Sequence, residues 1–150
     1  MELDTSTMNQ FVSNVFDEMF GLPTEHLASA QFDVNQPRIV ACIRISGVVE
    51  ELIVVEAPVA TACLISETMF DADPGTLEAE EIRDAIGEVV NIIGGNVKGM
   101  YEGESQLSLP CVSEETGTTE TESDGGVNMV FDVAGQPMLV RWQNMSPAAV

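Results

Sequence analysis

The chain has 150 residues, 45% hydrophobic and 20% charged, a balance that suits one globular domain, 1–150, with a core of its own. Its 25 acidic against 5 basic residues give a formal net charge of −20, so long-range repulsion makes nucleic acid and anionic membrane poor partners. No apolar run reaches the roughly 18 residues of a membrane span. The start, Met1-Glu2-Leu3-Asp4-Thr5-Ser6-Thr7, lacks the basic and apolar blocks of a secretory signal, and the expected location is the cytoplasm.

Ser6 to Phe20 reads as a first helix, capped by Ser6 or Thr7. Met8, Phe11, Val12, Val15, Phe16 and Met19 recur on one side as a core stripe, and Gly21 and Pro23 end it. His26, the only histidine, sits in a polar segment and reads as an ordinary surface residue. A histidine base or triad therefore has little support. Ala28 to Asn35 is a weak strand. Arg38 to Ser46 and Val48 to Glu56 are stronger ones, rich in β-branched residues and joined tightly at Gly47 as a hairpin. Pro58 opens a helix over Val59 to Phe70, with Ala60, Cys63, Leu64 and Met69 on its apolar side. Asp71-Ala72-Asp73-Pro74-Gly75 is a turn. It holds too few oxygen ligands for a calcium loop.

A long amphipathic helix is expected from about Leu77 to Met100. With Asp84 at zero on a wheel of about 100° per residue, Glu81, Glu88, Asn91, Gly95 and Lys98 fall within about 60° of it. Ile82, Ala85, Ile86, Val89, Val90, Ile93 and Val97 lie on the opposite side. The result is a broad apolar face and a narrow polar stripe. Glu88 and Asn91 are one turn apart and can act on one target. Gly95 keeps the stripe low, so that a partner could approach the backbone. The bland alternative is a solvated helix face.

Beyond this helix, Gln106 to Val112 alternates like a strand, with Pro110 near a sheet edge. Ser113 to Gly126 holds five acids and no large apolar residue, and reads as a mobile acidic loop. Val127 to Val133 and Pro137 to Trp142 form a last hairpin around Ala134-Gly135-Gln136, and Asn144 to Val150 reads as a frayed tail. Runs of strands and runs of helices joined by hairpins argue for an α+β fold, helices packed on an antiparallel sheet. Cys42, Cys63 and Cys111 are widely spaced without a CxxC pair and read as core cysteines; no metal site is expected.

The stretch Asp84-x3-Glu88-x2-Asn91, continuing as Ile-Ile-Gly-Gly-Asn-Val-Lys-Gly, resembles the signature of the CheC/CheX/FliY phosphatases of bacterial chemotaxis. Pro110, in Leu107-Ser108-Leu109-Pro110, resembles the proline that follows this motif. One motif copy with strands on both sides is similar to CheX rather than to two-motif CheC. The resemblance implies a CheC-like fold and a homodimer whose protomers share sheet edges. It implies a phosphatase acting on the aspartyl phosphate of a CheY-like receiver domain. Glu88 and Asn91 would be catalytic: Asn91 would orient the attacking water, and Glu88 would pair with the receiver's active-site lysine. Asp84 and Gly95 would support them. The chain would need no cofactor of its own, because the catalytic Mg2+ would sit in the receiver. The alternative is a receiver-binding or scaffold module of the same fold, without catalysis. In either case no nucleic acid or membrane is expected as a partner.

Overall fold

The first helix begins at Asp4, whose carboxylate accepts the Thr7 N–H at 2.8 Å, a cap earlier than the expected Ser6 or Thr7. In the computed structural model, which describes residues 2–118 and 126–145, α1 (Thr5–Ser13) continues into a π-helical segment, Asn14–Met19. The wider turn rotates the last residues of the segment off the 3.6-residue stripe. Met8, Val12, Val15 and Phe16 are fully buried, whereas Met19 is 59% exposed. Gly21, at φ +67°, ends the helix.

The remaining elements are β1 (Thr24–His26), β2 (Arg38–Gly47), β3 (Glu51–Pro58), α2 (Val59–Phe70), α3 (Ala79–Gly99), β4 (Ser105–Leu107), β5 (Cys111–Glu115), β6 (Val127–Val133) and β7 (Gln136–Asn144). The sheet runs β1-β6-β7-β3-β2-β4, with β5 also on β2, and every pairing is antiparallel. The α+β architecture expected from the alternating runs is the one observed. Ile39, Ala41, Ile43 and Ile45 of β2 and Ile53, Val55 and Ala57 of β3 point to the helices, and join Met8, Phe16, Ile65, Ile86, Val90 and Ile93 in one core. At the β6–β7 turn Ala134 and Gly135 both have positive φ, as a two-residue hairpin requires, and Asp132 accepts the Gly135 N–H at 3.1 Å.

Several expectations are corrected. Ala28 to Asn35 is irregular, and the strand lies earlier, at Thr24–His26, paired with β6. His26 is accordingly half-buried, its ring 5.4 Å from that of Phe131. The buried side of α2 is Thr61, Ala62, Ile65 and Ser66, not the face of Ala60 and Cys63. Thr61 reaches the Pro137 carbonyl at 2.7 Å and Ser66 bonds back to the Ala62 carbonyl, so hydroxyls that look polar in sequence are satisfied inside. Gln106 to Val112 is two strands, interrupted at 108–110. Ser113 to Glu115 belongs to β5, and most of the remaining acidic stretch, 119–125, lies outside the described residues, as does 146–150. The cysteines are not core residues either: Cys42 and Cys63 are half-buried and Cys111 is exposed.

On the sheet face away from the helices, Arg38, Glu56 and Arg141 are all buried. Glu56 accepts from the Arg38 Nε and faces Arg141 Nη1 at 3.1 Å. Arg38 also donates to the carbonyls of Val34 and Gly117.

Candidate functional site

Helix α3 starts where the Glu78 N–H meets the Glu81 carboxylate at 2.9 Å. Glu80 and Glu81 occupy its first turn and Lys98 its last, the charge order that the helix dipole favours. Its apolar side, Ala85, Ile86, Val89, Val90, Ile93 and Val97, is buried. Two glycines on that side let the helix lie close to the sheet. A Cβ on Gly94 would stand 2.9 Å from Ile43 Cγ2 and 3.1 Å from Leu107 Cδ1, and one on Gly87 would stand 3.1 Å from Val112 Cγ2.

The opposite stripe faces outward as the wheel requires. Asp84, Glu88 and Gly95 are exposed and Asn91 is half-buried. No atom lies within 4 Å of the Cβ position at Gly95, so the stripe is low there. The interruption between β4 and β5 lies beside it. Arg44 and Ser108 still bond, Ser108 N–H to the Arg44 carbonyl at 2.9 Å and Arg44 N–H to Ser108 Oγ at 2.9 Å. Then the chain leaves the ladder at Leu109 and at Pro110, which has no N–H to donate. Pro110 and Val112 thereby become one wall of a groove of about 450 Å³, with Asp84, Glu88 and Asn91 on the other and Leu109 at its mouth. Leu109 is 87% exposed. Toward Gly95 and Lys98 the surface opens into a second hollow of about 880 Å³, of mixed lining.

The structure therefore brings all four sequence-derived residues, Asp84, Glu88, Asn91 and Gly95, onto one open ridge. The polar groups lining the groove are carboxylates and one carboxamide. Such groups orient a water or dock a cation; they are not nucleophiles of the serine or cysteine kind. Arg83, beside the stripe, is drawn to Glu114 of β5 at 3.1 Å, an exposed pair worth little in stability. The sequence reading missed Leu109, Val112 and the two buried glycines. Their only local signal is the seven-residue spacing of Gly87 and Gly94, which puts them on one helix face.

An antiparallel sheet carrying one long helix with Glu and Asn on its open face defines a class of protein. A family model described as "Chemotaxis phosphatase CheX" matches residues 39–133. The chain belongs to the CheX family of chemotaxis phosphatases. Among solved structures it is similar to the chemotaxis protein CheX from Vibrio vulnificus, with a TM-score of 0.75 and 18% identity over 93% of this chain and 95% of that one. A CheC-like superfamily protein from Shewanella sp. PV-4 matches with a TM-score of 0.72 and 18% identity, over 97% and 100% of the two chains. A chain of the CheX–CheY–BeF3–Mg+2 complex from Borrelia burgdorferi matches with a TM-score of 0.68 and 14% identity, again over 97% and 100%. Among curated proteins, none matches the chain by sequence. No helix among the described residues is long and apolar enough to cross a membrane.

Proposed function

We propose that this chain is a phosphatase that hydrolyses the aspartyl phosphate of a CheY-like receiver domain, with Asn91 orienting the attacking water and Glu88 docking onto the receiver's lysine. The observation that carries the reading is that Glu88 and Asn91 project together from an exposed ridge beside the Pro110 wall. An acyl phosphate is already labile, so the enzyme's task is to hold a water in line with phosphorus. A carboxamide accepts from and donates to that water at once. A carboxylate one turn away suits an ammonium group. The Mg2+ that neutralises the phosphoryl charge would belong to the receiver. Asp84 and Gly95 support the contact, Asp84 as a polar neighbour and Gly95 as the low point over which the receiver's backbone passes. Membership of a chemotaxis phosphatase family and likeness to a chain of a CheX–CheY complex both support this reading.

The test is to phosphorylate CheY-like receivers and follow loss of the phosphoryl group. Asn91→Ala is expected to remove the acceleration, by roughly 100-fold or more, with the fold unchanged by circular dichroism. Glu88→Ala is expected to weaken binding as well as turnover. Binding of phosphorylated receivers without any shortening of their lifetime would replace this reading by that of a non-catalytic receiver-binding module. We also propose a homodimer, formed through a sheet edge, such as the outer side of β4 and β5. Light scattering showing a monomer at micromolar concentration would refute it.

A further inference from the structure

Strands β2 and β5 set two thiols side by side. Cys42 and Cys111 are direct partners in the antiparallel register. Such positions hold their Cα atoms about 4.5–5.5 Å apart, inside the roughly 4.4–6.8 Å that a disulfide spans. Side chains alternate along a strand. Ile43 and Val112 point to α3, so Cys42 and Cys111 share the opposite face. Both are free thiols; Cys111 is exposed and Cys42 half-buried. Cys63, the remaining thiol, is on another element, α2.

We propose that Cys42 and Cys111 form an oxidisable dithiol, a modification site that a small-molecule disulfide such as glutathione disulfide converts to a cross-strand bridge. The exposed Cys111 thiolate attacks one sulfur of the oxidant and expels one glutathione thiolate. The Cys42 thiolate then attacks the Cys111 sulfur of the mixed disulfide and expels the second. The protein loses two electrons and two protons, and the oxidant leaves as two thiols. The order follows from access: Cys42 is partly covered, and burial, followed by the neighbouring Cys111 thiol, pushes its own thiol up, so it is the slower attacker and the resolving partner. The bridge would fasten the edge strand at the residue between Pro110 and Val112, the two side chains that wall the groove.

The test treats the whole chain with glutathione disulfide and reads intact mass, thiol count and peptide map, none of which depends on the phosphatase reading. The expected product is lighter by two hydrogens, and its denatured thiol count falls from three to one. Its map shows a Cys42–Cys111 linked peptide that dithiothreitol releases. Cys63→Ser leaves this linked peptide unchanged, whereas Cys111→Ser, at an exposed position, abolishes it. Cys111→Ala repeats that test should the first variant fold poorly. Persistence of all three thiols, a glutathione adduct stalled on Cys111, or a bridge joining two chains through Cys111 would each overturn the proposal.

Discussion

Glu56 shows how much one side chain in a sheet can carry. Its carboxylate is fully buried and faces the guanidiniums of both Arg38 and Arg141. Taking such an ion pair out of water is costly, so the pair is weak evidence of net stability, but breaking it leaves uncompensated charge inside. Glu56→Ala is therefore expected to lower the unfolding free energy by about 3–5 kcal/mol, read as a lower urea midpoint with an unchanged slope. A second residue-scale expectation concerns pH. The Tyr101 hydroxyl donates to the Glu51 carboxylate. Burial, then that contact, pushes the Tyr101 phenol up, and burial pushes the Glu51 carboxyl up against the smaller opposing pull of the tyrosine. Both groups therefore hold their protons longer folded than unfolded. For Tyr101, stability is fully present below the unfolded value of about 10 and is lost as pH rises above it. For Glu51 the same sign applies just above its unfolded value of about 4.3. Urea midpoints measured across the alkaline range should fall less steeply in Tyr101→Phe than in the wild type; parallel slopes would rule out the tyrosine as the cause.

Helix α3 separates what sequence reveals from what only packing reveals. Its polar stripe was legible because a 3.6-residue period needs nothing beyond the helix itself, and Glu88, Asn91 and Gly95 lie outward as that period requires. The close approach at Gly87 and Gly94 was not legible, because it depends on Ile43, Leu107 and Val112 from distant strands. The same holds for the inward turn of Thr61 on α2, whose hydroxyl meets the Pro137 carbonyl of a distant segment. The joint burial of Arg38, Glu56 and Arg141 was not legible either: alternation places them on one face of the sheet, but what covers that face depends on distant segments such as Val34 and Gly117. Neighbouring glycines should therefore respond oppositely to alanine. Gly95→Ala meets no atom within 4 Å and should stabilise by about 1 kcal/mol through helix propensity. It should also slow the proposed receiver dephosphorylation, because a methyl now stands on the ridge. Gly94→Ala gains the same propensity but pushes into Ile43, itself buried, and overpacking of about 1–3 kcal/mol should leave it net destabilised. Thermal melts of the two variants, run beside the phosphatase assay, test both halves. A Gly95→Ala protein that is stabler yet equally active would remove that glycine from the contact surface.

At the scale of the whole molecule, the charge sets the terms of encounter. Of the five basic residues, Arg38 and Arg141 are buried around Glu56 and Arg83 is drawn to Glu114, so much of the positive charge does not reach the field outside. The ridge itself carries Glu81, Asp84 and Glu88, with Lys98 at its far end. In the proposed complex the receiver's phosphorylation pocket would bring carboxylates and an anionic phosphoryl group, so a body of net charge −20 would repel it during approach, even though the proposed pairing of Glu88 with a lysine would attract at close range. Long-range repulsion acts on the association rate, while a short-range pair acts on dissociation and is screened less. Apolar contact, to which the exposed Leu109 would contribute in the proposed complex, is indifferent to salt. The expected result is that kcat/KM for dephosphorylation rises as ionic strength goes from about 0.01 to 0.15 M, where the Debye length shrinks from about 30 to 8 Å, while kcat at saturating receiver stays flat. Lys98→Glu should steepen that rise, and Leu109→Ala should raise KM equally at every salt concentration. A kcat/KM that instead falls with salt would mean that local attraction at the ridge, not the global charge, governs the encounter.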